Sequence, residues 1–404
     1  MSLALLKTLL RLAPAPVRAA ARNIWHSQLC WRDVADLVGR PSLVGQLRDD
    51  PLTALGVRPD ELLNPTGPVR FVRQTQYLNG AKAVVTHTVD DATRLVPPCL
   101  DAMDKYGIKA TAFINTRAAD PSLWARLRAA VANGHEIGAH SRRHRCQFPE
   151  TVGFCFVALT RFEIEGSRDD ILAHTAQPYV WSWAYPCGNC ARRRFVQRKV
   201  ARLGYVTARA YQDEVPDLHT YDTNSYAALF TQSVQKSFET YWYGKTSVTP
   251  DRSDLPTLNA KFDEVCAAGG IYSFVSHPQY LDYGPERFYE QHLAHVGGRD
   301  DIWYVPMGPL YAYRVLSEHT SVRQLQPNGA RARFAVFHRL DPTIYNGSIT
   351  LAFQASAPVR PTAGGEALSE RAPGPVQRWD GQYFRRDGDL MLLTIRPNTI
   401  VEFW

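Results

Sequence analysis

The stretch Ala83-Val84-Val85-Thr86-His87-Thr88-Val89-Asp90-Asp91 decides how this chain folds, because an apolar run ends there in two adjacent carboxylates. Ala83, Val84 and Val85 open a short buried strand, and Asp90 and Asp91 follow at its C-terminal end. Side-by-side carboxylates repel each other. The pair is therefore either an ordinary solvated acidic turn or a place where a cation or a proton gives each carboxylate its own role. Alternation along the strand makes His87 a packed residue rather than a ligand.

Working outward, the pattern alternates between strand and helix. Residues 94–106 read as a helix with Pro97 in its first turns and Gly107 at its end, and 110–114 as a strand. Residues 121–133 form a second helix, with Leu123, Trp124, Leu127 and Val131 on one face and Gly134 closing it. The strand 136–139 ends at His140, and the strand 179–185 leads into Pro186-Cys187-Gly188. A helix over 192–203, a strand over 205–211 and a strand over 271–275 ending at Ser276-His277-Pro278 complete the series. Repeated strand-then-helix order predicts parallel strands joined by right-handed crossovers, an α/β fold of the distorted (β/α) barrel type. Four groups of ligand-capable residues fall at C-terminal strand ends, the edge where such barrels assemble their sites.

One of those groups is His140-Ser141-Arg142-Arg143-His144. On a helical turn, imidazoles four apart would share one face and could share a metal; the bland alternative is two surface histidines. A carboxylate with two histidines suits zinc or a similar divalent ion and leaves positions open for water and substrate.

Composition bounds the rest. At 404 residues with 45% hydrophobic content, the chain can bury a large core. A net charge of +7 from scattered arginines favours anionic surfaces, but no recognisable nucleic-acid motif is present, so a nucleic-acid partner is not expected. The seven cysteines are odd in number and dispersed, which fits a reducing compartment. Cys187 and Cys190 form a lone CxxC, read as free thiols ahead of a local disulfide or a metal site. Within residues 1–22, leucines interrupted by Lys7 and Arg11 match either a helix lying on an anionic membrane face or a first helix packed on the domain. The expected location is the cytoplasm or its membrane surface rather than outside the cell.

Three units are expected: a helical, loop-rich lead-in over 1–80, a catalytic unit over 81–318, and a small β-sandwich-like domain over 319–404 with short alternating strands. Residues 160–178 and 213–265 read as insertions, the second rich in aromatics that either stack on sugar faces or fill a core.

With these residues in place, the region from about 80 to 310 resembles the polysaccharide deacetylase family, carbohydrate esterase family 4. Thr88-Val89-Asp90-Asp91 is similar to the family's first motif and His140-Ser141-Arg142-Arg143-His144 to its second. Ala184-Tyr185-Pro186-Cys187-Gly188 resembles a variant of the third motif, and Phe274-Val275-Ser276-His277 the last. The resemblance implies Asp90 as general base, His277 as general acid, and Asp91, His140 and His144 as ligands of a divalent ion, zinc being expected. It also implies an oxyanion and substrate contact at Tyr185, Pro186 and Cys187. The implied activity is removal of N-acetyl groups from an acetylated sugar or polysaccharide. Deacylation of an O-acetyl ester or a non-sugar amide, and a degenerate glycan-binding protein, are the alternatives. The family's arginine at the start of the third motif is replaced by Ala184, so whatever orients Asp90 must come from elsewhere.

Overall fold

The computed structural model describes residues 47–63, 67–144, 161–186, 200–209, 255–278, 284, 286–374 and 380–404. Residues 1–22, Cys187, Cys190 and the aromatic stretch 221–243 lie outside these. Cys99 and Cys266 are buried and form no disulfide, and the other five cysteines lie outside the described residues.

Among the described strands, β1 (Val69–Gln74) comes first. Then come β2 (Ala83–Asp90), α1 (Val96–Lys105), β3 (Ala110–Ile114), α2 (Pro121–Ala132), β4 (Glu136–Ala139), α3 (Arg161–His174), β5 (Ser182–Ala184) and β6 (Thr207–Arg209). After these follow α4 (Leu255–Ala267), β7 (Ile271–Ser276), α5 (Phe288–Val296), β8 (Ile302–Tyr304) and α6 (Met307–His319). Strands β2 to β8 form one wholly parallel sheet in the order β6-β5-β4-β3-β2-β7, curled into a half-barrel. Every residue of β2 is buried, as expected of a strand covered on both faces. The other edge of β2 is shared: its first half pairs with β8 (Ala83 with Ile302) and its second half with β3 (Asp90 with Phe113).

Alternation sends the two faces of the sheet into different cores. On the convex face, Val85 and Val89 pack with Leu100 of α1, Leu127 of α2, Ile164 of α3, Phe262 of α4 and Leu293 of α5. On the concave face, Val84, Phe113, Ala184 and Trp303 pack on Leu310, Tyr313 and Leu316 of α6, which fills the half-barrel. Buried Glu136 receives the first turn of α6: its carboxylate accepts from the Gly308 N–H at 2.8 Å, from Thr111 Oγ at 2.7 Å and from Ser182 Oγ at 2.7 Å. An anionic acceptor suits the unpaired N–H groups and partial positive charge of a helix start.

The C-terminal strands are β9 (Ser321–Leu325), β10 (Ala332–Phe337), β11 (Ile349–Ala355), β12 (Pro361–Ala363), β13 (Glu366–Ala367), β14 (Tyr383–Asp387), β15 (Leu390–Ile395) and β16 (Thr399–Phe403). They form two antiparallel sheets, β1-β11-β15-β14 and β13-β12-β16-β10-β9. Their inner residues Phe334, Phe353, Leu393 and Phe403 join the same apolar cluster as α6 and the concave face of the barrel. At about 1.5–3 kcal/mol for each large apolar side chain fully buried, this shared core fixes the sandwich to the barrel.

Three expectations need correcting. Residues 69–74, placed within a helical lead-in, form a strand that pairs with β11 through Val69–Ala355 and Gln74–Leu351. Residues 160–178 are not an insertion, because α3 is the crossover helix between β4 and β5 and buries Ile164 and Ile171 on the sheet. Likewise the end of the supposed insertion 213–265 is occupied by α4, the crossover helix before β7.

Candidate metal centre

The C-terminal edge of the sheet gathers the predicted ligands. Asp90 ends β2 with its side chain on the concave side, and Asp91 then takes a left-handed backbone at φ 73°. His140 follows β4, and the loop after it contains two more non-glycine residues with positive φ, Ser141 at 63° and His144 at 47°. The helical turn expected to align the two histidines is therefore absent. A tight left-handed loop brings the rings together instead, with centroids 4.6 Å apart. Such backbone states cost on the order of 1–3 kcal/mol each and survive only where the surroundings over-determine them. Here the loop is tied down: Ser141 Oγ accepts the His144 N–H at 2.9 Å, and the Thr116 and Arg117 N–H groups donate to the carbonyls of Ser141 and Arg142 at 3.2 and 2.9 Å. Asn115 Oδ1 holds the Ala92 N–H beyond the carboxylate pair.

Asp91, His140 and His144 each offer a ligand atom, all within 4.8 Å of one another. Asp91 Oδ1 lies 3.4 Å from His144 Nε2. His140 Nδ1 is 3.0 Å from the Ala184 carbonyl, which can only accept, so Nδ1 carries the proton and Nε2 keeps its lone pair. Burial, with the neighbouring His144 adding to it and the carboxylates of Asp90 and Asp91 opposing, brings His140 down to about 4, so its ring is neutral at physiological pH. A carboxylate with two imidazoles, one locked in the ligating tautomer, fits a divalent ion of the zinc or cobalt type.

Asp90 is buried and faces the Arg209 guanidinium, which donates to its Oδ1 through Nη2. Arg209 is itself fully enclosed at the end of β6 and lies over the Phe113 ring, 5.0 Å from its centroid. Burial alone would raise Asp90, but Arg209, His140 and His277 together outweigh it and bring the carboxyl down to about 2. Arg209 was not singled out from sequence, although a charged residue at the end of an otherwise buried strand requires a partner. It fills the need left by Ala184.

His277 directly follows β7, whose Ser276 pairs in register with Val89, so the next residues on each strand are His277 and Asp90. It is half-buried, and its charge is felt at Asp90. Tyr185 is placed differently from the substrate-contact expectation. Its ring lies in the convex core beside Trp183, with the hydroxyl fully buried, so the side chain turns away from the ligand cluster. Pro186 is buried after it, and Cys187 lies outside the described residues. His87 is enclosed against Phe274 and Tyr289 on the convex side.

A half-barrel that gathers a carboxylate and two imidazoles at its C-terminal edge, with a further carboxylate and imidazole beside them, is an arrangement able to hold a divalent ion next to a base and an acid. The family model described as polysaccharide deacetylase matches residues 78–208, so that stretch of the chain is similar to this family. The match stops one residue before Arg209 and well short of His277. No curated protein matches the chain. Among solved structures, a Mycobacterium smegmatis protein assigned as a polysaccharide deacetylase aligns at 14% identity and TM-score 0.41, covering 63% of this chain and 96% of that one. A family 4 carbohydrate esterase from Streptomyces lividans aligns at 17% identity and TM-score 0.32, covering 54% and 86%. The catalytic domain of a peptidoglycan N-acetylglucosamine deacetylase from Eubacterium rectale aligns at 15% and 0.28, covering 58% and 85%.

Proposed function

We propose that this chain removes N-acetyl groups from a sugar or polysaccharide by metal-assisted hydrolysis. The observation that carries the proposal is the convergence of Asp91, His140 and His144 beside an Asp90 held ionised and fixed by Arg209. Asp91, His140 and His144 would hold the ion, zinc being the proposed metal. Bound there, it would supply Lewis acidity, polarising the acyl carbonyl and acidifying water. Asp90 acts as general base, taking one proton from water as the water oxygen bonds to the acyl carbon. His277, just past the end of the neighbouring strand, gives a proton to the sugar nitrogen as the carbon–nitrogen bond breaks, so acetate and a free amine leave. The pairing with Arg209 also keeps Asp90 apart from the ligand set, which gives the two adjacent carboxylates different tasks.

The test is acetate release from N-acetylglucosamine oligomers and from O-acetylated xylan, by protein stripped with chelator and resupplied with zinc or cobalt. Metal-dependent release from the oligomers supports the proposal. Release from xylan alone shifts the reading to an O-acetyl esterase, and a protein that binds metal but releases nothing refutes it. The proposed location is the cytoplasm or its membrane face, with residues 1–22 contacting anionic lipid. Full-length protein found entirely in the soluble fraction would refute the membrane contact. Among the described residues no helix is long and apolar enough to cross a membrane.

A further inference from the structure

We infer that Glu163 of α3, supported by Gly166 and Asp170 on the same helix, is a positioning residue that holds the segment between His140 and His144 in its metal-ready shape. This rests on the metal reading above. One carboxylate oxygen of Glu163 accepts two successive backbone N–H groups, those of Arg142 and Arg143, each at 3.1 Å. These are the peptide groups between the two histidines, in a loop where Ser141 and His144 both sit in the left-handed region. A charged acceptor makes stronger hydrogen bonds to backbone N–H than a neutral one, and Glu163 is buried, so water competes little for those donors.

The side chain of Arg142 provides a second hold. Its guanidinium forks onto Asp170, with Nε to Oδ2 at 2.8 Å and Nη2 to Oδ1 at 2.7 Å, and Thr116 Oγ donates to the same Asp170 Oδ2 at 2.7 Å. To reach Asp170 the guanidinium crosses α3 at Gly166, where a Cβ would stand 2.6 Å from its central carbon. Phe162 covers Arg142 and Arg143, with their guanidinium carbons 4.5 and 4.6 Å from its ring centroid. Backbone and side chain of the loop are thus both fixed to one helix. Releasing either would let the strained turn relax and separate His144 from His140 and Asp91.

The test uses the full chain, stripped with chelator and titrated with zinc in competition with a chromophoric chelator. Glu163→Ala should weaken zinc affinity by about 10–100-fold, the range for residues that orient metal ligands. It should also alter the visible spectrum of the cobalt-loaded protein, while excess metal restores most of kcat. Glu163→Gln, which keeps an accepting oxygen, should lose less, and Gly166→Ala should weaken zinc affinity by displacing Arg142. Asp169→Ala, on the exposed side of the same helix, should leave affinity unchanged. If Glu163→Ala does not fold, Gly166→Ala and Glu163→Gln decide. Zinc affinity within twofold of the unsubstituted protein in the folded variants overturns the inference. An unsubstituted protein that itself fails to bind zinc or cobalt overturns the metal reading instead, so the two failures are told apart.

Discussion

Replacing Arg209 with alanine would test the arrangement around the proposed base most directly. The guanidinium meets Asp90 inside the protein, and both side chains are almost fully enclosed, at 1% and 2% exposure. The fall of the Asp90 carboxyl from 3.8 to about 2 corresponds to on the order of 2 kcal/mol favouring the ionised form in the folded state. That contribution is present above pH 3.8 and lost as pH falls through about 2. Without Arg209, burial acts with less opposition, so the carboxyl should move upward and the folded state lose at least this much stability. Stripping one partner from a buried ion pair costs about 3–5 kcal/mol, which agrees in scale. Activity should fall more steeply, because an unanchored Asp90 neither points at the attacking water nor stays ionised in mild acid. A well-placed general base contributes about 10²–10⁴-fold, so a loss of two orders of magnitude or more in kcat/KM is expected near neutrality. The assay is acetate release against pH together with metal content. Arg209→Ala should shift the acid limb of kcat/KM upward with metal retained, whereas Arg209→Lys should keep the limb low but recover only part of the rate, since an ammonium lacks the planar fork. An Arg209→Ala enzyme with unchanged kcat/KM across the pH range and a full complement of metal would refute this account of Asp90.

Replacing Asp91, His140 or His144 singly with alanine should remove most bound divalent metal and activity together, checked by elemental analysis of dialysed protein; full metal content in any of them would exclude that residue as a ligand. Stability should fall with acidification below about pH 6.5, because burial holds His292 near 3 and His338 near 4 while the unfolded chain takes up protons at ordinary histidine values. Each should cost about 1.4 kcal/mol between pH 7.5 and 5.5, measured by denaturant titration, and His292→Gln should flatten the dependence. Cutting the chain after residue 320 should give insoluble protein rather than a working catalytic unit, because Phe334, Phe353 and Phe403 complete the core around α6; soluble, folded and active 1–320 would contradict this.

Strands whose buried runs are local and continuous were readable in the sequence. Residues 110–114 and 136–139 occupy the predicted strands, and the ligand-bearing positions fall at strand ends as the order of elements required. The geometry of the His140–His144 turn was not readable, because Ser and His seldom take positive φ and the fixing groups, Glu163 and Asp170, lie on another helix. Helix α3 itself was obscured because its inward face carries Glu163, Gly166 and Ser167 among its apolar residues, which blurs the helical period. Arg209 drew no reading from the sequence, because its partner Asp90 lies 119 positions away and only the fold brings the two together. Strand β1 was hidden by a register shift between Phe71 and Arg73 that breaks the twofold alternation, and by the distance in sequence to its partner.

That distance has a consequence for how the chain is made. Arg70 of β1 bonds to Gln354 of β11, 284 positions later. At about 5–20 residues per second, a ribosome needs roughly 15–60 s to deliver the second half of that pair after the first has emerged. Throughout that interval the nascent β1 lacks its partner strand, and α6, once made, still awaits Phe353 and Phe403. The protein therefore completes this core only after β11 to β16 have been made, and those strands are the ones that close it.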